Sequence, residues 1–226
     1  MLGAFLGICW HTVRLPAVSV AESYIRAVAE QDRDAALEIS SGRAAYIASG
    51  LGEGKAKANV AGMRCWVEAA SSGWARVVLE PELILGDGTR DIGWYEVEVI
   101  KKDGWKVVDL KEATIPLSGT HVIENDGCLP AINEVFGDYL KALAAGDLKS
   151  ASRYLVGPAR KSHEAGESYL SKGKIIKNYS EPRSRILWNN GNLCRCLMSY
   201  RVDGRDVEVL VVFVRLRNGD WKIAGF

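Results

Sequence analysis

Two stretches of the chain repeat apolar residues at the spacing of an amphipathic helix. Apolar side chains recur every three or four positions over residues 18–30 and again over residues 132–144. Each stretch runs into an aspartate, Asp32 or Asp147, which we expect to cap a second helix. A carboxylate at such a position accepts hydrogen bonds from the open N–H groups of the first helical turn and favours the positive end of the helix dipole.

After each pair of helices the pattern changes to a period of two, which is typical of half-buried strands. The alternating segments lie near residues 63–69, 74–85, 92–101 and 105–111 in the first half, and near 183–189, 193–202, 205–217 and 221–226 in the second. Asp-Gly or Asn-Gly lies at several of the breaks, and these pairs favour tight hairpins because both residues tolerate positive φ. The sequence therefore predicts an α+β fold in which helices precede an antiparallel meander, twice.

The two halves are copies of one unit. The segment that begins at Tyr24 matches the segment that begins at Tyr139 at an offset of 115 residues, and Trp105 and Trp221, each followed by lysine, lie 116 residues apart. We infer an apolar N-terminal arm at residues 1–16, a first unit at 17–115, a connector at 116–129 and a second unit at 130–226.

The repeated motifs resemble those of the nuclear-transport-factor-two-like superfamily, which has the cystatin-like cone fold. The residues that carry the resemblance are Tyr24, Ala27, Asp32, Ala36 and Trp105-Lys106, and in the second copy Tyr139, Ala142, Gly146-Asp147, Ala151 and Trp221-Lys222. The resemblance implies two cone-like units, each with helices packed in the hollow of a strongly curved sheet. Some members (ketosteroid isomerases, SnoaL-like cyclases, dehydratases) use a pocket at the open end for acid–base chemistry. Many others are non-catalytic modules of secreted or membrane-anchored bacterial proteins, so the fold alone does not select a function.

Composition narrows the functional classes. Acidic and basic residues are interspersed and nearly cancel to a net charge of +1, so we expect no nucleic-acid partner. The first ten residues are apolar but too few to span a bilayer, which leaves an ordered arm or the remnant of an export or anchor segment. We favour an extracytoplasmic or membrane-anchored location, with attachment through the N-terminus, over a cytoplasmic one.

The cysteines predict core packing and not metal chemistry. There are five, an odd number, and the Cys194-Arg-Cys196 pair has neither the usual spacer of a zinc site nor a second ligand pair. In the alternating pattern Cys194, Cys196 and Met198 take the inward positions that Ala75, Val77 and Leu79 take in the first copy. We therefore predict no metal and no cofactor.

An acid–base site of the isomerase type needs a carboxylate or an imidazole on the inner face of the sheet. Tyr95 and Tyr200 are predicted to face the interior, and we retain them with His163 as candidate ligand-binding residues. His163 lies in a polar helical stretch, where we expect a solvated face. No acid–base pair recurs in both copies, so we assign no catalytic residue.

The sequence favours a non-catalytic binding or protein-interaction module. The alternatives are an isomerase- or dehydratase-type enzyme that uses the cone pocket, and a carrier of an apolar ligand, so the partner is an unknown protein or a small apolar molecule. Six consecutive apolar residues begin at Val209 and predict that the outer face of the second sheet packs on the first unit or on a second copy, as a homodimer. Trp66, Trp74 and Trp94 form another candidate contact patch on the first unit.

Overall fold

The computed structural model describes residues 15–52, 56–115, 126–170 and 178–226. The chain divides into two compact units, Met1–Pro116 and Leu117–Phe226. Most of the predicted N-terminal arm and most of the predicted connector lie outside the described residues.

The first unit places its helices before its sheet. In chain order its elements are α1 (Leu15–Glu30), α2 (Arg33–Glu38), α3 (Gly42–Ser49), β1 (Ala58–Ser71), β2 (Trp74–Leu85), β3 (Arg90–Ile92), β4 (Tyr95–Lys102) and β5 (Gly104–Glu112). The strands pair antiparallel in the order β1-β2-β4-β5, and the short β3 pairs with β2.

The second unit repeats this order. A short 3-10 helix at Asp126–Cys128 leads into α4 (Leu129–Ala144), α5 (Leu148–Ser152), α6 (Gly157–Leu170), β6 (Arg183–Asn189), β7 (Leu193–Val202), β8 (Arg205–Arg215) and β9 (Trp221–Gly225). Its sheet is an antiparallel meander in the order β6-β7-β8-β9. The α+β class and the two helix-plus-meander units predicted from the sequence are both present.

Two details differ from the prediction. The strand expected at 92–101 is interrupted at Gly93 and Trp94, so that β3 and β4 are separate strands. A Cβ atom on residue 93 would lie 2.4 Å from the ring of Tyr95, so any other residue at this bend would have to displace that ring. Helix α3 is not predicted by the periodicity, because it has only eight residues and begins at Gly42 with a φ of +56°.

The turn before the second helix is the same in both units. The Asp32 carboxylate accepts a hydrogen bond of 3.1 Å from the Ala35 backbone N–H, and the Asp147 carboxylate accepts one of 2.9 Å from Ser150. The residue before each aspartate, Gln31 or Gly146, has positive φ, which is the left-handed turn that ends the preceding helix. Both predicted caps are confirmed.

A second repeated feature joins the end of the short helix to the last strand. In the first unit Ser41 N–H donates to the Val107 carbonyl at 2.8 Å, and Val107 N–H donates to the Ile39 carbonyl at 2.9 Å. The Lys106 ammonium group donates to the Glu38 carbonyl at the end of α2. A cation at this end of a helix also interacts favourably with the helix dipole. We call this set of bonds the helix–strand clip.

The clip recurs in the second unit at the offset found in the sequence. Val156 N–H donates to the Ile223 carbonyl at 2.9 Å, Ile223 N–H donates to the Tyr154 carbonyl at 2.9 Å, and the Lys222 ammonium group donates to the Arg153 carbonyl at 2.9 Å. The lysine of the repeated Trp-Lys motif therefore has a structural role, because it closes the end of the second helix onto the last strand.

The first helix of each unit covers the inner face of its sheet. In the first unit Tyr24 and Ile25 of α1 belong to one core with Val77 and Val97. In the second unit the core between the first helix and the sheet contains Ile132, Phe136, Leu140, Cys194, Cys196, Met198 and Phe213. The inward assignments of Ala75, Val77, Leu79, Cys194, Cys196 and Met198 are confirmed, since each of these residues is fully buried.

Removing the capping carboxylate of the first unit tests the repeated turn directly. Replacing Asp32 by alanine should lower the free energy of unfolding by about 1 kcal/mol, because one N–H of α2 loses its acceptor. Asp34→Ala is the matched control, since Asp34 lies in the same first turn and contributes only its charge. Urea denaturation of both variants measures the difference, and equal losses would contradict the cap.

Candidate functional site

The interior of the second unit is filled by side chains. Phe136 of α4 stacks edge-on against Phe213 of β8, with ring centroids 6.4 Å apart. Phe136, Phe213 and Met198 are at most 1% exposed. These side chains occupy the space between the first helix and the inner sheet face of the second unit.

Tyr200 packs against this filled interior. Its ring makes an edge contact with Phe136 at 5.5 Å between centroids, and burial raises the pKa of its hydroxyl. Because its pKa is raised, the tyrosine hydroxyl is less able to release a proton near neutral pH.

Tyr200 also lines an open groove of about 1010 Å³ at the end of the second sheet. Several polar side chains of this groove are hydrogen-bonded to each other. Arg201 Nε donates to Asp206 Oδ1 at 2.9 Å, and Ser199 Oγ donates to Glu208 Oε1 at 3.1 Å. The groove is therefore polar and exposed, unlike a pocket that would raise the pKa of a catalytic carboxyl group.

His163 is buried, so the expectation of a solvated face is wrong. Its Nε2 lies 3.3 Å from the Leu148 carbonyl oxygen, to which it donates as the Nε2–H tautomer, and its ring contacts that of Tyr139 at 6.2 Å. The residues around His163 in the sequence are polar, so the sequence does not indicate that His163 faces α5 and the core. The imidazole is thus part of the contact between these two helices.

Tyr95 lies in the other unit and is half-buried against the first core. Another hydroxyl in that core is the buried one of Tyr24, which donates to the Ala44 carbonyl at 2.7 Å. Burial raises the pKa of Tyr24 to about 12. The candidate residues are thus divided between two units. Within the second unit, Tyr200 and His163 are separated by Phe136 and Tyr139 in a row of aromatic contacts.

The outer face of the first sheet holds a charged cluster that the sequence analysis does not identify. Glu80 and Glu82 on β2 are only 5% and 3% exposed. Arg64 Nε donates to Glu80 at 2.7 Å, the Trp94 indole N–H donates to the same carboxylate at 3.1 Å, and Arg90 pairs with Glu82. Only the pairing of β1 with β2, which sets Arg64 opposite Glu80, reveals the cluster.

The predicted tryptophan patch on this unit is only partly exposed. Trp94 is buried against Glu80, and Trp74 is covered by the guanidinium group of Arg76 at 5.7 Å from the ring centroid. Trp66 is 37% exposed.

Three thiols meet where α4 begins. Cys194 Sγ lies 3.4 Å from Cys196 Sγ, and the Asn189 side-chain amide donates to Cys128 Sγ at 3.6 Å. The contact with Cys196 and burial raise the pKa of Cys194, so it is held as a neutral thiol. Among the described residues no group of three or more histidine, cysteine or acidic side chains is placed to hold a metal ion.

Comparison with known proteins gives matches only at the level of structure. No family model and no curated protein matches the chain. One similar solved structure is described as an Ntf2-like protein involved in plasmid conjugation, with 13% identity, a TM-score of 0.37, and coverage of 91% of this chain and 92% of that one. Another is a cystatin-like protein from Ruminococcus gnavus ATCC 29149, with 10% identity, a TM-score of 0.25, and coverage of 91% and 72%.

Each unit has a cone-like α+β fold. In each unit the helices come first and an antiparallel meander follows them. No helix in the described ranges is long and apolar enough to cross a membrane.

The buried Glu80 predicts a pH dependence of stability. Burial raises its pKa in the folded protein, and Arg64 and Trp94 offset this only in part. A carboxyl group with a raised folded pKa contributes most below the ordinary glutamate pKa of about 4.3, and this contribution is lost as the pH rises through the folded value.

Glu80→Gln should therefore become more favourable relative to the wild type as the pH rises from 4 to 7. Urea unfolding of both proteins across this range measures the difference in free energy. A difference that is constant, or that changes in the opposite direction, would show that Glu80 is not held with a raised pKa.

Proposed function

We propose that this protein is a non-catalytic protein-interaction module. The observation that carries the proposal is the filled interior of the second unit, where Phe136, Met198 and Phe213 occupy the space between helix and sheet. In the superfamily that the chain resembles, an enzyme or carrier uses a pocket at the open end of the cone, and side chains this large reduce the interior space behind such a pocket.

Three interior polar groups each have a structural partner or a raised pKa. Tyr24 bonds to a carbonyl of α3, His163 bonds to a carbonyl of α5, and burial raises the pKa of Tyr139 to about 12. General acid–base catalysis requires a group whose pKa lies near the working pH and within reach of a substrate. These side chains instead hold helices in place.

The exposed apolar residues favour a protein partner over a small molecule. Leu187 and Leu210 of the second sheet are 42% and 41% exposed, and they lie on strands and not in an enclosed pocket. Apolar side chains on a sheet face are suited to contact with another protein surface. Attachment to a membrane or secretion through the N-terminal residues remains part of the proposal, and it rests on the sequence alone.

Benzene binding tests whether the interior is free. The wild-type protein should show no saturable benzene binding by NMR or by the fluorescence of Trp221. Met198→Ala is the matched variant, because it should open an apolar cavity, bind benzene and lose about 2–5 kcal/mol of stability. Saturable binding to the wild-type interior would overturn the proposal in favour of a carrier or an enzyme.

Photo-crosslinking in a cell extract of the source organism tests the interaction itself. A benzophenone amino acid at position 210 should give discrete protein adducts that excess unlabelled protein removes. The same probe at Tyr46, which is 80% exposed on α3, should give none. Adducts that are equal at both positions, or absent at position 210, would contradict a specific protein contact through the second sheet.

A further inference from the structure

The outer face of β7 and β8 has three consecutive rows of paired residues. The register places Arg195 opposite Val212, Leu197 opposite Leu210, and Ser199 opposite Glu208. Alternate residues on the same strands, Cys196 and Met198, point into the core. We call Arg195, Leu197, Ser199, Glu208 and Leu210 the leucine face.

On the equivalent outer face of the first unit, the arginine forms ion pairs with glutamates. The inner pair Val77–Val97 corresponds to Cys196–Val211, so Arg76 corresponds to Arg195. Arg76 pairs with Glu96 at 3.4 Å and with Glu98 at 3.2 Å.

In the second unit the positions of these two glutamates are taken by Leu210 and Val212. Arg76 has a third partner, Glu68 at 3.7 Å. The second unit thus retains the arginine and replaces two of its three carboxylate partners by apolar residues. Arg195 forms no ion pair with any residue in the described ranges. A half-buried guanidinium group between apolar side chains is well suited to a carboxylate that comes from outside the unit.

The leucine face supplies such a carboxylate at its other end. Glu208 is exposed, and its described contact is the hydrogen bond of 3.1 Å from Ser199 Oγ. The row of Arg195 and the row of Glu208 are each two residues from the central row of Leu197 and Leu210. The face therefore has an apolar centre with a positive group on one side and a negative group on the other.

We propose that the leucine face binds the leucine face of a second copy of this chain. A two-fold axis through the central row packs Leu197 and Leu210 on their counterparts and brings the Arg195 row of each copy over the Glu208 row of the other. Such self-complementarity is the condition for a closed, symmetric dimer. Packed sheets lie about 10 Å apart, a gap that an arginine and a glutamate side chain bridge together.

The charge pattern favours a second copy over an unrelated partner, because both halves of each ion pair are present on the same face. The inference deepens the proposed function and rests on it in one respect, since it takes the sheet face and not the interior as the binding surface. The face has five residues, against roughly 20–30 on each side of a standard interface, so we expect a weak dimer with a Kd on the order of 10–1000 µM.

Reversing the charges at residues 195 and 208 in the full chain tests the dimer. Sedimentation equilibrium of the wild type should show a monomer–dimer equilibrium. Arg195→Glu and Glu208→Arg should each raise the Kd about tenfold or more, because each sets like charges opposite each other. The double variant R195E/E208R should restore the wild-type Kd. Arg205→Glu is the control, because Arg205 is exposed on the same strand but outside the leucine face.

A wild-type protein that stays monomeric at millimolar concentration would overturn the inference. A dimer whose Kd is unchanged in both single variants, or not restored in the double variant, would also overturn it. Neither result affects the benzene experiment, so the failure of the dimer and the failure of the proposed function can be distinguished. Circular dichroism of each variant checks that the fold is retained.

Discussion

The structure of each unit depends on covering the inner face of one antiparallel sheet with the first helix of that unit. Every strand presents alternate residues to each face, so an apolar inner set must be buried along its whole length. The helix–strand clip holds the second helix of each unit in place. Two backbone hydrogen bonds and one lysine join the end of that helix to the last strand. In the second unit Phe136 of the first helix and Met198 of the sheet then fill the interior.

This constraint keeps the inner faces of both units apolar, although their side chains differ in size, and leaves the chemistry of the outer faces free to change. Substitutions inside a filled core require compensating changes in volume, and a lost clip or cap leaves buried polar groups without partners. The outer faces are free of these demands. The first unit therefore has a network of arginines and glutamates around Arg76, whereas the second has leucine and valine at the corresponding positions.

The parts that the sequence predicts well are those set by local physics. Alternation assigns Val77 and Cys196 to the core, and the aspartates at the two helix breaks are recognisable as caps because their chemistry acts within four residues. The sequence does not predict the buried state of Glu80, which requires Arg64 from a neighbouring strand. It also misassigns His163, because the surrounding residues are polar and only the packing of α6 on α5 turns the imidazole inward.

The central claim is that side chains fill the interior of the second unit, and we expect the core of the first unit to be filled in the same way. Xenon enters apolar cavities without requiring polar contacts, so crystals of the full chain under xenon pressure report on empty interior space directly. The account predicts no ordered xenon between α1 and β2 or between α4 and β7. Xenon bound beside Val77 or Met198 would contradict it, because a cavity able to hold an apolar ligand would then exist between helix and sheet.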